Sequence, residues 1–433
     1  MRFLHYATED CRGGAAKAAY YIHHLLLSRG HSSQMVVRDK SSYDDPTVHV
    51  VPISPLKYRL DRIRRRLPGL HPPVFKAKAA FNFDTEGLLS DEAFFPISPA
   101  DVDLVLVHWI TGFLTIRQIR LIYDHYRCPV VMVMNDQQPI TGGCHYSLGC
   151  DGYTRKCGNC PLLDAPSDHD RSRVVWERKH TLLSPLPLVI WSGSSGSTAK
   201  LARSSLFSGH RRLTLLGSID DTAFRPLKRE WARDILRLPQ DKHIIFLAAT
   251  MIDDERKGMK YAIEALKFLH LMSGERGAIH SEDVHLAIAG HGAEACRAKL
   301  SFPLTKLGYL NDSISLALAY QAADVFLCPT VDDEGPMMVT ESMMCGTPVV
   351  MFKVGIAGDL IRDGETGYAV PVGDAAALAR ALNLVLTSPD TTSMCDAAHI
   401  SASYAQSPLH AVPRMEDAMR SIIMDGETRS RQR

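Results

Sequence analysis

What most restricts this chain is a pattern that it runs through twice. Arg2 to Tyr6 (RFLHY) is a short apolar run. A polar turn with Gly13 and Gly14 follows, and Ala15 to Leu27 (AAKAAYYIHHLLL) has the composition and apolar spacing of a helix, stopped at Gly30. Gln34 to Arg38 (QMVVR) is a second apolar run. Strand, glycine turn, helix, strand is one half of a doubly wound sheet. Further short buried strands are expected at Val102 to Val107, Val130 to Met134, Leu188 to Ser192 and Leu213 to Gly217, with a helix over Thr115 to Tyr126. The order then restarts. Ile244 to Ala249 (IIFLAA), Val284 to Ala289 (VHLAIA), Val325 to Cys328 (VFLC) and Pro348 to Phe352 (PVVMF) read as strands, and Tyr261 to Leu271 reads as a helix. Asp220 to Leu227, punctuated by Pro226, is the expected linker. The chain therefore reads as α/β, with two Rossmann-like doubly wound domains at 1–222 and 223–398. A C-terminal helix within 399–433 is expected to return to the first domain and end in a frayed tail. Ligands of such sheets bind at the carboxyl ends of the strands, so both domains are expected to turn loops toward a cleft.

Composition narrows the partners. The 433 residues are 45% hydrophobic and 22% charged with a formal net charge of +1, so no global field points to nucleic acid. The most apolar runs, DLVLVHW and VVMVM, fall far short of the ~20 residues that a bilayer needs. The N-terminus MRFLHYATEDCRGG lacks the apolar core of a signal peptide. A cytoplasmic protein is expected, at the inner face of the membrane if it has a membrane-bound substrate. Its thiols would stay reduced, which removes disulfides from consideration.

The stretch Thr330 to Val350 reads TVDDEGPMMVTESMMCGTPVV. A strand feeds an acidic loop, a Gly-Pro turn, a helix with Glu341, and a further strand. Asp333 and Glu341 are separated by seven residues. The amides of Gly335, Met337 and Met338 fall at the helix N-terminus, which suits an anionic or polyhydroxy ligand. A carboxylate can accept from two adjacent sugar hydroxyls. Each feature alone is weak, since most Asp-x7-Glu pairs and Arg-Lys-Gly turns are solvated surface charges. The methionines beside them suit core packing.

Taken together, these residues resemble the donor-site signature of glycosyltransferase family 4, the retaining GT-B glycosyltransferases. Asp333, Pro336 and Glu341 match a DxxPxxxxE pattern, with Asp333 standing where the first carboxylate is usually Glu. The resemblance implies that Glu341 holds the ribose of a nucleotide sugar and Asp333 the hydroxyls of the sugar. Arg256 and Lys257, in DERKG, look like the basic pair for the donor diphosphate, one a bidentate grip and the other a point charge. Gly13 and Gly14 fit the glycine loop that lets backbone approach the diphosphate, and Gly290 and Gly292 end a strand of the donor domain. GSIDDTAFRP at 217–226, the block ending at Pro329, and GETGY at 364–368 match in the family's order, so the resemblance covers most of the chain. It implies a GT-B fold and a UDP- or GDP-sugar donor. It also implies retaining transfer without a catalytic metal, in which Asp136, Asp333, Arg256 and Lys257 do the positioning and charge work. The acceptor, a glycan or lipid-linked glycan, falls to the first domain. There His108 and Trp109 follow one strand, and Asn135 and Asp136 the next. Related sequences commonly have His-Asp at the second position. Asn135 can hydrogen bond but cannot shuttle a proton. For His108 a packed histidine at a strand end is an equal alternative.

Cys144, Cys150, Cys157 and Cys160 crowd into the loop 141–163, TGGCHYSLGCDGYTRKCGNCPLL. The loop resembles that of the colanic-acid and exopolysaccharide type within the family, which implies polysaccharide biosynthesis. The spacing C-x5-C-x6-C-x2-C admits a structural zinc held by the four thiolates, only the last pair having the usual CxxC form. Four reduced thiols packed under the loop are the alternative. His145 is a reserve ligand, or a surface or acceptor residue. Residues 57–70, KYRLDRIRRRLPGL, have basic and apolar positions at helical spacing and suit either peripheral contact with an anionic membrane or a solvated helix face. Two rival functions keep the same fold. One is a non-catalytic nucleotide-sugar-binding protein, which the loss of histidine at Asn135 favours and the retained basic pair opposes. The other is a nucleotide-sugar hydrolase or epimerase.

Overall fold

The computed structural model describes residues 1–42, 44–51, 94–251, 254–291 and 300–431. The basic stretch 57–70 and Gly292 lie outside the described residues. The chain divides into two units, Met1–Ser218 with Val412–Arg433, and Ile219–Ala411.

Unit one contains β1 (Arg2–Glu9), α1 (Gly14–Ser28), β2 (Ser32–Asp39), β3 (Val48–Val50), β4 (Leu104–Val107), α2 (Ile116–Tyr126), β5 (Val130–Met134), α3 (Arg171–Leu182), β6 (Val189–Ser192), α4 (Ser195–Arg203) and β7 (Arg211–Thr214). Its seven strands are parallel in the order β3-β2-β1-β4-β5-β6-β7. Alternation along β1 and β4 explains the core. Leu4, Tyr6, Val105 and Val107 enter one apolar cluster, while Phe3, Leu104 and Leu106 enter another on the opposite face. A sheet buried on both faces needs uninterrupted apolar strands, as these are. Helix α2 starts at a capping box in which Thr115 and Gln118 each bond the other's backbone amide, and it buries Ile116, Ile119 and Ile122.

Unit two contains α5 (Arg229–Leu236), β8 (His243–Met251), α6 (Met259–Met272), β9 (Val284–His291), β10 (Leu304–Gly308), α7 (Ser313–Ala322), β11 (Val325–Cys328), α8 (Met337–Met344), β12 (Val349–Phe352), α9 (Ala357–Leu360), β13 (Gly367–Val370), α10 (Ala375–Leu386) and α11 (Thr391–Gln406). Its strands are also parallel, in the order β10-β9-β8-β11-β12-β13. The last helix, α12 (Pro408–Arg431), places Met415, Met419 and Ile422 in the second apolar cluster of unit one, beside Phe3, Leu26 and Trp191. Spacings of four and three put those three side chains on one stripe.

Two departures from the sequence reading concern edges. The strand expected at Leu213 to Gly217 lies two residues earlier and is led by the exposed Arg211 and Arg212, as suits a polar edge. Short outer strands β3, β10 and β13 carry too little apolar signal to stand out. Among the described residues no helix is long and apolar enough to cross a membrane.

Each order reverses once, between β1 and β4 and between β8 and β11. At such switch points the loops leaving adjacent strands diverge and open a crevice at their carboxyl ends. Gly13, Gly14, His108 and Trp109 follow β1 and β4 at the first, and Arg256, Lys257 and Asp333 follow β8 and β11 at the second; Asn135, Asp136 and the cysteine loop follow β5, and Gly290 lies in β9.

Candidate functional site

In unit two, the loop after β8 is shaped by its own sequence. Asp254 accepts from the Arg256 amide (3.0 Å) and caps a single 3-10 turn, Glu255–Lys257. Gly258 ends the turn at φ 70°, and a Cβ there would sit 1.9 Å from the carbonyl oxygen of Pro329, just past β11. Only glycine allows both the dihedral and the approach. The turn is thereby pressed against the loop that carries Asp333, and Val331 donates its amide to the Arg256 carbonyl (2.9 Å). Across this seam Asp333 Oδ2 receives Arg256 Nη1 at 2.6 Å and Lys257 Nζ at 3.0 Å. Its Oδ1 accepts from the Glu334 amide at 2.9 Å. Gly355, at φ 50°, closes on the other side, where a Cβ would lie 2.8 Å from the Asp333 carbonyl oxygen.

All three charged side chains are largely buried. Burial pushes the Asp333 carboxyl up, but Lys257 and Arg256 outweigh it and hold the group below the usual carboxylate range. The three residues therefore form one cluster, two cations on one carboxylate, with Asp254 Oδ2 a further 3.2 Å partner of Arg256. The sequence reading assigned the basic pair and Asp333 to different parts of a donor; the structure brings them into direct contact.

Glu341 lies in the second turn of α8, buried, where its Oε2 accepts from the Tyr320 hydroxyl of α7 at 3.1 Å. Tyr320 is fully buried, and burial followed by the Glu341 charge pushes its phenol well up, so it stays a donor. Gly335 and Met337 are half-buried at the entry to α8, beside Asp333. Gly290 lies in β9, one strand away from β8, at φ 132°.

In unit one the corresponding loops follow β1, β4 and β5. Gly13 caps α1 at φ 84°, and a Cβ on Gly13 or Gly14 would meet nothing within 4 Å, so the backbone there faces open space. His108 does not. It is 4% exposed and turned inward, with Nε2 3.0 Å from Nδ1 of the fully buried His5. The packed alternative fits this histidine. Trp109 points the other way and donates its indole N–H to Asp136 Oδ2 at 3.0 Å.

Asp136 is held by two further partners. Its Oδ1 accepts from the Gln138 amide (2.8 Å), and Oδ2 meets His145 Nδ1 at 2.5 Å. His145 comes from the cysteine loop. The Gln137 amide donates to the His145 carbonyl (2.8 Å), and the Gln137 side chain accepts from the Ser147 amide (2.8 Å), so the backbone on both sides of the imidazole is pinned. Asn135, beside them, keeps its side-chain nitrogen buried without a hydrogen-bond partner and lines a small cavity with His108, Trp109 and Asp136. His145 as the partner of Asp136 is what sequence reasoning missed. The signal was its place in the same conspicuous loop.

That loop is held by backbone and side-chain bonds. Lys179 of α3, buried, donates to the carbonyls of Gln138 and Thr141. The Gly142 amide donates to Cys157 Sγ at 3.2 Å. Burial pushes the Cys144, Cys157 and Cys160 thiols up, Cys157 to about 11. The four cysteines have the right chemistry for zinc, and Cys150, Cys157 and Cys160 lie near enough to Cys144 to act on its charge, although among the described residues no three of these sulfurs all lie within 4.8 Å of one another.

Residues 241–388 match the family described as Glycosyl transferases group 1. The phosphatidyl-myo-inositol mannosyltransferase of Mycobacterium leprae is 34% identical over 150 residues, 34% of this chain and 37% of that protein. The chain thus spans about a third of the length of the curated relatives first matched. Among solved structures, sucrose-phosphate synthase of Thermosynechococcus elongatus superposes with a TM-score of 0.68 at 18% identity, covering 98% of this chain and all of that one. HepE of Anabaena, solved with UDP-glucose, superposes at 0.63 with 14% identity, covering 97% of this chain and 99% of its own.

Proposed function

We propose that this chain, whose residues 241–388 belong to the glycosyl transferases group 1 family, moves a sugar from a nucleotide diphosphate to a glycan acceptor with retention of configuration. The observation that carries the reading is the buried cluster of Arg256, Lys257 and Asp333 at the β8/β11 switch point, with Glu341 in α8, the helix that follows the Asp333 loop. Two cations and a carboxylate placed together suit a ligand that is anionic at one end and polyhydroxy at the other. The diphosphate takes the cations, and the carboxylate they release accepts from sugar hydroxyls. Glu341, oriented by Tyr320, takes the ribose.

In the transfer, the bond from the anomeric carbon to the diphosphate oxygen breaks, and a bond to the acceptor oxygen forms on the same face. The charge that develops on the leaving diphosphate is met by Arg256 and Lys257, and the acceptor's proton passes to a phosphate oxygen. These two side chains supply the charge, so no step is assigned to a catalytic metal. The acceptor belongs to unit one, at Trp109, Asn135 and the Asp136–His145 pair. Asp136 acts there by orienting the imidazole through Oδ2, which Trp109 and His145 share. The name of the mycobacterial relative puts inositol phospholipids among the acceptors to test, beside the lipid-linked glycans of bacterial polysaccharide synthesis.

The test is calorimetric binding of UDP- and GDP-sugars, with UDP-glucose first, to the wild type and Glu341→Ala. One donor should bind, and the variant should lose about 1.5–3 kcal/mol, the range for a hydrogen bond to a charged group. A variant that binds every donor as the wild type does would remove Glu341 from the site. A wild type that binds none would remove the transferase reading.

A further inference from the structure

We infer that unit one also carries a divalent transition-metal site, built by His23 and His24 of α1 and Asp45 of the β2–β3 connection. Among the described residues these are the only three ligating side chains whose donor atoms all lie within 4.8 Å of one another. Both histidines sit in the second half of α1; the His23 ring meets the His5 ring of β1 edge-on at 5.5 Å between centroids, and Asp45 lies near Cys11 of the loop after β1.

The surroundings are those of a prepared ligand set. His24 Nε2 lies 2.9 Å from Asp45 Oδ2, and the Tyr20 hydroxyl donates to the same oxygen at 3.0 Å. The Tyr20 ring meets His24 edge-on at 4.3 Å between centroids, and the two imidazoles lie 5.1 Å apart. Asp45 Oδ1 is fixed by the amide of Thr47 at 2.9 Å and by its hydroxyl at 2.5 Å. His23 Nδ1 bonds Ser33 Oγ at 2.7 Å, which is the outer-shell contact that orients a ligating imidazole.

Two imidazoles and a carboxylate suit zinc, cobalt or nickel, with solvent in the remaining position. Tetrahedral binding at about 2.0–2.2 Å would set the three donor atoms about 3.3–3.6 Å apart. His24, 43% exposed, can supply most of that movement. The Thr47 hydroxyl, now 2.8 Å from His23 Nε2, would give up that contact and keep Asp45. Protonation does not stand in the way. Burial pushes His23 down to about 4, so its imidazole is neutral at neutral pH. Burial raises Asp45, but Thr47, Tyr20 and His24 outweigh it and hold the carboxyl below its usual range. An ion here would pin the β2–β3 connection to α1.

The tag-free 433-residue chain, stripped with EDTA, is titrated with cobalt(II) and followed by visible absorption and thermal unfolding. One equivalent should bind with a weak ligand-field band and without an intense sulfur-to-cobalt band, and the unfolding temperature should rise by a few degrees. His24→Gln, at an exposed position, and Asp45→Asn should each weaken binding at least tenfold, while the metal-free His24→Gln chain unfolds as the wild type does. Three results would overturn the site: no binding at millimolar cobalt, His24→Gln binding as tightly as wild type, or a thiolate band marking the cysteine loop as the place where the ion goes.

Discussion

Replacing Asp333 by Asn tests whether this carboxylate holds the two cations in reserve for a diphosphate. In the ligand-free chain, Asp333 Oδ2 is shared by Arg256 at 2.6 Å and Lys257 at 3.0 Å, and the side chains are only 11%, 13% and 17% exposed. Removing one partner of a buried ion pair costs about 3–5 kcal/mol, because the charge left behind is neither paired nor hydrated. Arg256 keeps Asp254, so the lower end applies, about 3 kcal/mol out of a typical 5–15. Binding should move the other way. A nucleoside diphosphate must compete with Asp333 for both cations in the wild type, but not in Asp333→Asn. Recovering one charge-assisted contact is worth about 1.5–3 kcal/mol, or roughly a tenfold to hundredfold gain in affinity for the nucleotide alone. The sugar should no longer add to it, because its carboxylate acceptor is gone. Calorimetry of UDP and UDP-glucose against both chains reads the two effects, with GDP and its sugars substituted if the donor screen selects guanosine. Thermal unfolding with and without nucleotide reads the third, since the nucleotide should rescue the variant more than the wild type. If Asp333→Asn unfolds at the wild-type temperature and binds the nucleotide no more tightly, the cluster does not work in this way.

Three further outcomes follow from other contacts. Burial pushes His108 down to about 3 against 6.5 in an unfolded chain, so the unfolded state takes up the proton first as pH falls. Stability fully present above pH 6.5 should therefore be lost toward pH 3, by about 3 kcal/mol at pH 4.5. Urea unfolding in EDTA, read by the tryptophans of unit one, should show this limb flattened in His108→Gln, and an unchanged limb would rule His108 out. Lys179→Met should take the charged donor from the carbonyls of Gln138 and Thr141, leaving Gln138 only the Thr141 amide at 3.4 Å, cost unit one about 1–3 kcal/mol, and open residues 141–163 to limited proteolysis. Gly258→Ala should abolish nucleotide binding while leaving the helix content of circular dichroism intact, because its Cβ would force the Arg256 turn away from Pro329.

The central strands were legible because they are buried on both faces and so are apolar without interruption. Val130–Met134 and Val325–Cys328 lie where the sequence puts them. Edge strands face solvent and lose that signal. The apolar Leu213 and Leu215 drew the last strand of unit one two residues too far along, past the exposed Arg211 and Arg212. At the site, residue types were legible and partners were not. Arg256 and Asp333 are 77 positions apart, and only the β8–β11 adjacency brings their loops together. His108 is a case in which the signal was present and unused. Strand alternation puts it on the same face as Leu104 and Leu106, and β1 pairs in register with β4 so that His5 stands opposite Leu106. A histidine continuing a buried face belongs with the core.

The cysteine loop joins these threads. Its glycines and thiols attract attention as a metal site, yet its firm attachments are Lys179 on the carbonyls of Gln138 and Thr141, and Gln137 on the backbone around His145. Those bonds fix where an imidazole meets Asp136. A strand end alone offers Asn135, which can hydrogen bond but cannot carry a proton. A loop that returns to the strand end can place a histidine beside the same aspartate nine residues later, at a position that no periodic pattern marks. Gly142 and Gly143, the latter at φ 130°, are then what a tight return path requires. Gly142 shows this most directly: a Cβ there would lie 2.2 Å from the Ser172 carbonyl oxygen and 2.9 Å from the Cys157 Cβ, so the chain can pass between them only as glycine.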